Sequence, residues 1–343
     1  MFRHLEDSKP QKAAIGPGLD AGLPAVVELE SVAELEPALA SEEFGVARVY
    51  VGYAAAAPSA PEPCRLPRVA YALGSPAPPR DGFSVGAWET TWSAAEYAAA
   101  VETVRAAIFE GDAYQVNLVQ HLRADFDGDP AALAAALASL RPLEPAPLVG
   151  NGWAIVSASP ELLLQKRGEV VRTMPIKGTR PAGVPVESEK DIAEHVMIVD
   201  LERNDLSRVC VPGSVHCPEL LSGRQLAGVS HLVATVEGTL RAGVTLTELL
   251  EAVLPGGSVT GCPKSSALKL IAALEPVGRG ASMGALGRIY ANGDLDLALT
   301  IRTFAIVDGS IHLWVGGGIV WDSEPAAEVE ESWVKARPLL AAL

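Results

Sequence analysis

The sharpest alternation of apolar and polar positions begins at Ser93. Ser93 and Glu96 have the spacing of a capping box, which starts a helix. The apolar residues that follow recur every three or four positions and share one helix face: Tyr97, Val101, Val104 and Ile108. Gly111 is typical of the residue that ends a helix. The pattern therefore predicts an amphipathic helix between Ser93 and Gly111.

The longest predicted helix runs from Ser188 to about Arg208. Ser188 is the predicted N-cap that starts it, with Asp191 at the third helical position. The pattern assigns Ile192, Val196 and Val199 to the buried stripe and leaves the opposite side mostly charged. Other helices are predicted where a cap residue or proline precedes apolar positions: after Asp129-Pro130, from about Leu246 to Leu254, from Pro263 and from Pro325.

Strand patterns dominate the rest of the chain from Tyr114 onward. Strands are predicted at Tyr114 to about Arg123, Trp153–Ser159, Glu161–Lys166, Glu169–Met174 and about Val229–Val236. Asn292-Gly293 and Asp308-Gly309 are strong hairpin signals. Because these strands are joined as hairpins rather than alternating with helices, the sequence predicts an α+β fold with mainly antiparallel sheets. We expect residues 1 to about 85 to form a short N-terminal β region with a Pro-rich loop, part of the same fold.

Composition narrows the functional classes. The 343 residues carry 27 Lys and Arg against 42 Asp and Glu, a net charge of −15. This charge argues against nucleic acid or an anionic membrane as a partner and favours small-molecule chemistry. The four cysteines lack metal-site spacing, no apolar run is long enough to span a bilayer, and the N-terminus lacks a signal-peptide pattern, so we expect a reduced, cytoplasmic setting.

Two groups of acidic residues are candidates for chemistry. Glu328, Glu331 and Lys335 project from one side of the last predicted helix, and Asp191 and Glu194 lie one turn apart on the long helix. Each group also fits a solvated, salt-bridged face. If the four carboxylates come together, their oxygens suit Mg²⁺, which is commonly held by one or two carboxylates and substrate oxygens.

Two glycine-containing segments and one lysine point to a ligand site. Gly316-Gly317-Gly318 interrupts an apolar strand, which favours close approach of a ligand or another backbone. The segment from Ser258 to Lys264 opens a helix whose N–H groups suit a carboxylate, although an ordinary helix cap also explains it. Lys177 follows a predicted strand between Pro and Gly, where a desolvated amine can act as a nucleophile and a surface lysine would stay charged.

Ordered motifs in this chain resemble those of the chorismate-utilising enzymes. The resemblance extends from about residue 111 to the C-terminus, and the full ordered set makes it specific. Its pieces are Gly-Asp-Ala-Tyr-Gln-Val-Asn-Leu (111–118), Ser-Pro-Glu-Leu (159–162), Pro-Ile-Lys-Gly-Thr-Arg-Pro (175–181), Ala-Glu-His-Val-Met-Ile-Val-Asp-Leu-Glu-Arg-Asn-Asp-Leu (193–206), Ser-His-Leu-Val (230–233), Pro-Gly-Gly-Ser-Val-Thr-Gly-Cys-Pro-Lys (255–264), Leu-Thr-Ile-Arg-Thr (299–303) and Gly-Gly-Gly-Ile-Val-Trp-Asp-Ser-Glu-Pro (316–325).

The resemblance implies two large antiparallel sheets packed face to face with helices outside, a chorismate-binding catalytic domain over about residues 86–343, and a buried site for Mg²⁺ and chorismate. It implies that Glu161 is the general acid for the departing C4 hydroxyl and that Glu194 and Glu331 hold the metal, supported by Asp191 and Glu328. The positions that match those around the substrate are Gln115, His231, Ser258, Arg302, Gly316 and Lys335.

Two of these positions separate the members of the family. Members that add water carry a lysine base where this chain has Gln115, which cannot deprotonate water. Anthranilate synthases carry alanine where this chain has Lys177, whereas the aminodeoxychorismate enzymes of folate biosynthesis carry lysine. The resemblance thus implies amination of chorismate at C4 through a covalent Lys177 adduct at C2. Amination at C2 is the alternative, and a non-catalytic chorismate-binding relative is a weaker one.

The resemblance also implies a source of ammonia. The sequence contains no evident Cys-His-Glu glutaminase module. We therefore expect ammonia to come from solution or from a separate glutamine amidotransferase subunit.

Overall fold

A computed structural model describes residues 25–181, 189–226 and 229–343 of the chain. In chain order, its strands are β1 (Val26–Leu29), β2 (Val46–Val51), β3 (Val69–Leu73), β4 (Phe83–Val85), β5 (Glu89–Thr90), β6 (Gln115–Gly128), β7 (Leu148–Val149), β8 (Trp153–Ser157), β9 (Leu162–Arg167), β10 (Val170–Met174), β11 (Ile176–Pro181), β12 (His216–Leu226), β13 (Val229–Thr239), β14 (Gly261–Cys262), β15 (Ala285–Tyr290), β16 (Leu295–Leu299), β17 (Thr303–Val307) and β18 (Ser310–Ile319). Its α-helices are α1 (Leu35–Ala40), α2 (Ala94–Phe109), α3 (Pro130–Leu137), α4 (Glu189–Ser207), α5 (Leu246–Val253), α6 (Lys264–Leu274) and α7 (Pro325–Leu340).

Within the described residues, these strands form one sheet of ten and one of eight. The first has the order β1-β3-β2-β15-β16-β9-β10-β13-β11, with β12 also paired to β13. The second has the order β14-β6-β18-β17-β8-β7, with β4 and β5 paired to β6. All of the assigned strand pairs are antiparallel, for example β6 with β18 and β2 with β15. The predicted α+β class is therefore confirmed.

The two sheets pack face to face through an apolar core. Val49 and Leu286 of the first sheet belong to the same buried cluster as Val119 and Ile155 of the second. Helices cover the outer faces: α4 packs on β13, while α2 and α7 pack on β18. Within the described part of the chain, no helix is both long enough and apolar enough to cross a membrane.

Local sequence signals account for many of the element boundaries. The Ser93 hydroxyl accepts the Glu96 N–H and the Glu96 carboxylate accepts the Ser93 N–H, so the predicted capping box starts α2. Asp129 caps α3, whose first residue is Pro130. The hairpins predicted at Asn292-Gly293 and Asp308-Gly309 join β15 to β16 and β17 to β18.

Three predictions about the middle of the chain were wrong in detail. Lys177 is the second residue of a separate strand, β11, rather than the end of the preceding one. Strand β12 was not predicted, because its adjacent apolar residues Leu220 and Leu221 are flanked by polar ones and do not show the alternation of a half-buried strand. In α4, Val196 is exposed and the buried residues include His195, Ile198, Glu202 and Asp205. The predicted cap at Ser188 lies outside the described residues.

The buried polar residues of α4 explain the error in its predicted stripe. A pattern analysis assigns charged residues to the solvent side. Glu202 and Asp205 are buried because each has a partner on another element, Gly257 N–H for Glu202 and the Lys264 ammonium for Asp205. These partners lie more than fifty residues away in the chain and leave no local signal.

Candidate active site

The predicted site residues, with one exception, line a single cavity of about 610 Å³. Strands of both sheets and the helices α4 and α7 contribute residues to its lining. The predicted residues that line it are Glu161, Lys177, Asp191, Glu194, His231, Ser258, Arg302, Gly316, Glu328, Glu331 and Lys335. Residues from many separate elements therefore converge as the sequence motifs predicted.

The cavity lies beside the part of β18 that is no longer paired with β17. Strand β18 pairs with β6 along its full length, but its pairing with β17 ends at Leu313. The glycine segment beyond this point borders the cavity. A Cβ atom on Gly317 would lie 3.2 Å from Lys335 Nζ and 3.3 Å from Glu331 Oε1, so a side chain would crowd the acidic residues of α7. The predicted need for close approach at this glycine is thus met by α7.

Glu161 lies at the buried end of the cavity. Its side chain accepts a hydrogen bond from Ser258 Oγ at 2.6 Å. Burial raises the pKa of Glu161 to about 7, against the opposing effects of the Ser258 hydrogen bond and the nearby Lys177 charge. A large fraction of this carboxyl group is therefore protonated near neutral pH, as a general acid requires.

Lys177 faces the same cavity from β11. Its ammonium group lies 3.4 Å from the Ser258 carbonyl oxygen, so Ser258 contacts both Lys177 and Glu161. Loss of solvation lowers the pKa of Lys177, whereas Glu194 and Glu161 act in the opposite direction. A lowered pKa increases the fraction of free amine, which is the nucleophilic form.

His231 and Arg302 form the wall beside Glu161. His231 Nδ1 lies 2.7 Å from the Gly178 carbonyl oxygen and so donates to it. Its other nitrogen, Nε2, is buried without a hydrogen-bond partner among the described residues and is available to a ligand hydroxyl. Arg302 adopts a left-handed backbone conformation, with φ of 51°, which is uncommon for a side chain of this size.

Gln115 is the predicted site residue that does not line the cavity. Its side chain is fully buried on β6, and neither amide atom has a hydrogen-bond partner among the described residues. It lies behind Gly318, where an added Cβ atom would clash with Gln115 Nε2. Gly318 itself borders the cavity, so Gln115 is one residue removed from it.

Sequence reasoning missed several residues of the cavity wall. Asn117, Met283 and Trp314 line it but carry no catalytic signature. Asn117 lies two residues after Gln115 on the same face of β6, so strand alternation was the signal that would have found it. Met283, with φ of 63°, has no comparable signal because its position depends on the loop after α6.

Residues 40–341 of the chain match the protein family described as "chorismate binding enzyme". The chain belongs to this family. The resemblance inferred from the ordered motifs is thereby confirmed, and the chorismate-binding family accounts for nearly the whole described structure.

Relatives in the chorismate-binding family include synthase components of two kinds. The chain is 39% identical over 298 residues to anthranilate synthase component 1 of Streptomyces coelicolor, covering 81% of this chain and 58% of the relative. It is 39% identical over 287 residues to aminodeoxychorismate synthase component 1 of Klebsiella aerogenes, covering 80% and 63%. The chain therefore spans about three fifths of the length of these curated relatives.

Solved structures in the chorismate-binding family share the fold. Anthranilate synthase component I of Streptococcus pneumoniae superposes with a TM-score of 0.77 at 27% identity, covering 86% of this chain and 80% of that one. The predicted architecture of two packed antiparallel sheets with outer helices is confirmed by this likeness and by the strand order.

The carboxylates of α4 and α7 bring only oxygen donors to the cavity. Glu328 is buried and accepts from Ser323 Oγ at 2.6 Å, while Glu331 Oε1 is 2.8 Å from the Lys335 ammonium. Within the described ranges, no three His, Cys, Asp or Glu side chains are grouped as a ready-made metal cage. This donor set fits a hard cation that takes part of its coordination from water or a ligand rather than one enclosed by protein alone.

Proposed function

We propose that this chain catalyses amination of chorismate at C4, the aminodeoxychorismate synthase component 1 reaction of para-aminobenzoate and folate biosynthesis. The observation that carries the proposal is Lys177, a desolvated amine in the same cavity as the acid Glu161. The proposed cosubstrate is ammonia, supplied by a glutamine amidotransferase partner. The similarity to an enzyme named for this activity supports the proposal.

The proposed reaction consists of two displacements. In the first, the free amine of Lys177 bonds to C2, the double bonds shift, and the C4 hydroxyl leaves as water with a proton from Glu161. In the second, ammonia bonds to C4, the double bonds shift back, and the C2–Lys177 bond breaks. The ammonia nitrogen gives up a proton to the Glu161 carboxylate, so the net change is chorismate plus ammonia to the C4 amine plus water.

The acidic residues have a proposed role in holding the substrate. Glu194 and Glu331, with Asp191 and Glu328 beside them, would hold Mg²⁺ at the cavity wall. When bound, Mg²⁺ would supply positive charge for the substrate carboxylates. Lys335 and Arg302 add fixed positive charge on the same cavity, and His231 Nε2 adds a hydrogen-bond acceptor.

Amination at C2 is the second candidate. It is favoured by the similarity to enzymes named anthranilate synthase component 1, including that of Streptomyces coelicolor. The two reactions give different products from the same reactants. Incubating the protein with chorismate, Mg²⁺ and an ammonium salt, followed by mass spectrometry and chromatography against both amines, tests the proposal. A C2 amine as the sole product would overturn it.

Changing Glu161 to Gln should lower kcat by about 10²-fold while chorismate still binds, because the amide cannot donate the proton that the C4 hydroxyl requires. In the wild type, kcat should fall as the pH rises through about 7, since Glu161 loses its proton there. Steady-state kinetics from pH 5.5 to 9 and calorimetric titration with chorismate provide the measurements.

The matched control for this variant is Glu169→Gln, which changes an exposed carboxylate in the neighbouring turn. It should leave kcat and its pH dependence unchanged. If Glu161→Gln retains the kcat of the wild type, the acid lies elsewhere.

A further inference from the structure

The loop from Pro255 to Thr260 contacts both proposed catalytic groups. It follows α5 and contains the short helix Gly257–Val259. Ser258 donates through Oγ to Glu161 and accepts through its carbonyl oxygen from Lys177. A shift of this loop would therefore change the surroundings of the acid and the amine together.

Lys264 holds the beginning of the loop. Its ammonium group donates to the Pro255 carbonyl oxygen at 2.9 Å and to Asp205 Oδ2 at 2.5 Å. The Asp205 side chain is only 4% exposed, so its charge is compensated mainly by this lysine. The ion pair fixes Lys264 between α4 and the loop.

Glu202 holds the next part of the loop, one helical turn before Asp205. Its Oε1 atom accepts the Gly257 N–H at 3.1 Å, and the residue is 2% exposed. A Cβ atom on Gly257 would lie 3.1 Å from the same oxygen, so glycine permits this close contact. Burial raises the pKa of Glu202, which leaves Oε1 able to accept a hydrogen bond in either protonation state.

These three side chains do not border the catalytic cavity within the described structure. Glu202 and Asp205 reach the loop region from α4, and Lys264 reaches it from the start of α6. Their placement therefore favours an effect on Glu161 through the loop and Ser258 over direct contact with the substrate.

We infer that Glu202, Asp205 and Lys264, here called the loop anchor, are positioning residues that keep the Ser258 hydroxyl directed at Glu161. This inference rests on the proposed function, because it takes Glu161 to be the general acid whose proton transfer the loop anchor affects. The anchor also connects the acid to α4, whose opposite end carries Asp191 and Glu194. Helix α4 thus carries two residues of the proposed metal site and, at its other end, two residues of the loop anchor that positions Ser258 against Glu161.

The anchor can be broken in two independent ways. Asp205→Asn combined with Lys264→Met removes the ion pair and the bond to Pro255 without leaving a buried charge unpaired. Glu202→Leu removes only the acceptor for Gly257, and Glu202→Gln retains an acceptor oxygen at the same place. Glu144→Gln is the matched control, because Glu144 is a buried carboxylate paired with Arg288 away from the loop.

The readouts separate positioning from general loss of structure. Hydrogen–deuterium exchange of the peptide containing Gly257 and Ser258 reports the order of the loop. Circular dichroism reports the fold, and steady-state kinetics with chorismate and ammonium give kcat, KM and the pH dependence of kcat.

Breaking the anchor should increase deuterium uptake of the loop and lower kcat by about 10-fold or more, with KM for chorismate changed less than about threefold. The fall of kcat at high pH should move to higher pH. The reason is that the Ser258 hydrogen bond lowers the pKa of Glu161, so losing it raises that pKa. Glu202→Gln and Glu144→Gln should match the wild type in kcat within about twofold.

Unchanged deuterium uptake in both broken variants would overturn the anchor itself. Raised uptake with the kcat and pH dependence of the wild type would overturn its effect on Glu161. A wild-type protein that does not consume chorismate would instead contradict the proposed function, and the exchange measurement would still decide whether the anchor orders the loop.

Discussion

Replacing Lys177 by Ala should end formation of 4-amino-4-deoxychorismate and produce some 2-amino-2-deoxyisochorismate. The variant retains Glu161 and the acidic residues but loses the amine that occupies C2, so ammonia can bond to C2 directly. The rate of C4 amination should fall by about 10²-fold or more, as for removal of a nucleophile. Product analysis after reaction with chorismate and ammonium measures both changes.

Two further measurements make the test of Lys177 specific. Wild-type protein quenched during turnover should show a mass increase on the peptide that contains Lys177. The control Lys166→Ala removes a half-buried lysine on β9 whose ammonium group donates to the Gly293 carbonyl oxygen, and it should leave the product unchanged. A Lys177→Ala protein that makes the C4 amine at the rate of the wild type would contradict the covalent mechanism.

Replacing Glu194 or Glu331 by Ala should abolish turnover while the protein stays folded. Both side chains face the cavity, and the proposed reaction needs a cation between them and the substrate. We expect a loss of about 10²-fold or more in kcat/KM and no calorimetric binding of Mg²⁺ in the presence of chorismate. Thermal unfolding should occur at the same or a slightly higher temperature, because one of several neighbouring carboxylates is removed.

The control for the acidic residues is Glu324→Ala, an exposed change at the start of α7 that should have no effect on Mg²⁺ binding. Chorismate turnover that persists undiminished in excess chelator would contradict the metal assignment. Loss of turnover with unchanged Mg²⁺ binding would mean that the carboxylates act on the substrate without the ion.

How well the sequence predicts a feature of this structure depends on how far apart the interacting residues are along the chain. The capping box at Ser93 and the hairpin turn at Asn292-Gly293 are complete within a few residues, and both were predicted correctly. The burial of Glu202 depends on Gly257, and that of Asp205 on Lys264, so neither was visible in the periodicity of α4. Local physics determines the elements, whereas long-range pairing decides which polar residues the core can hold.

The candidate site also combines features that the sequence predicts with features that depend on long-range packing. Ordered motifs brought Glu161, Lys177 and Arg302 together correctly, although nothing local relates them. The same motifs also included Gln115, which the fold places behind Gly318 instead of at the cavity surface. Whether a residue faces a cavity depends on the twist and end of each strand, and those follow from neighbouring strands rather than from the motif.

Because the β17 ladder ends at Leu313, part of β18 presents main-chain groups to the cavity where another strand would otherwise lie. The Gly316 carbonyl oxygen already accepts from Lys335 at 2.9 Å, and alternation along the strand turns Gly318 to the same side. Recognition by peptide groups is independent of side-chain identity. Most substitutions in β18 therefore leave the hydrogen-bonding groups on this wall of the cavity unchanged. Natural variants with altered substrate specificity should differ first on the wall where Lys177 and His231 supply side chains.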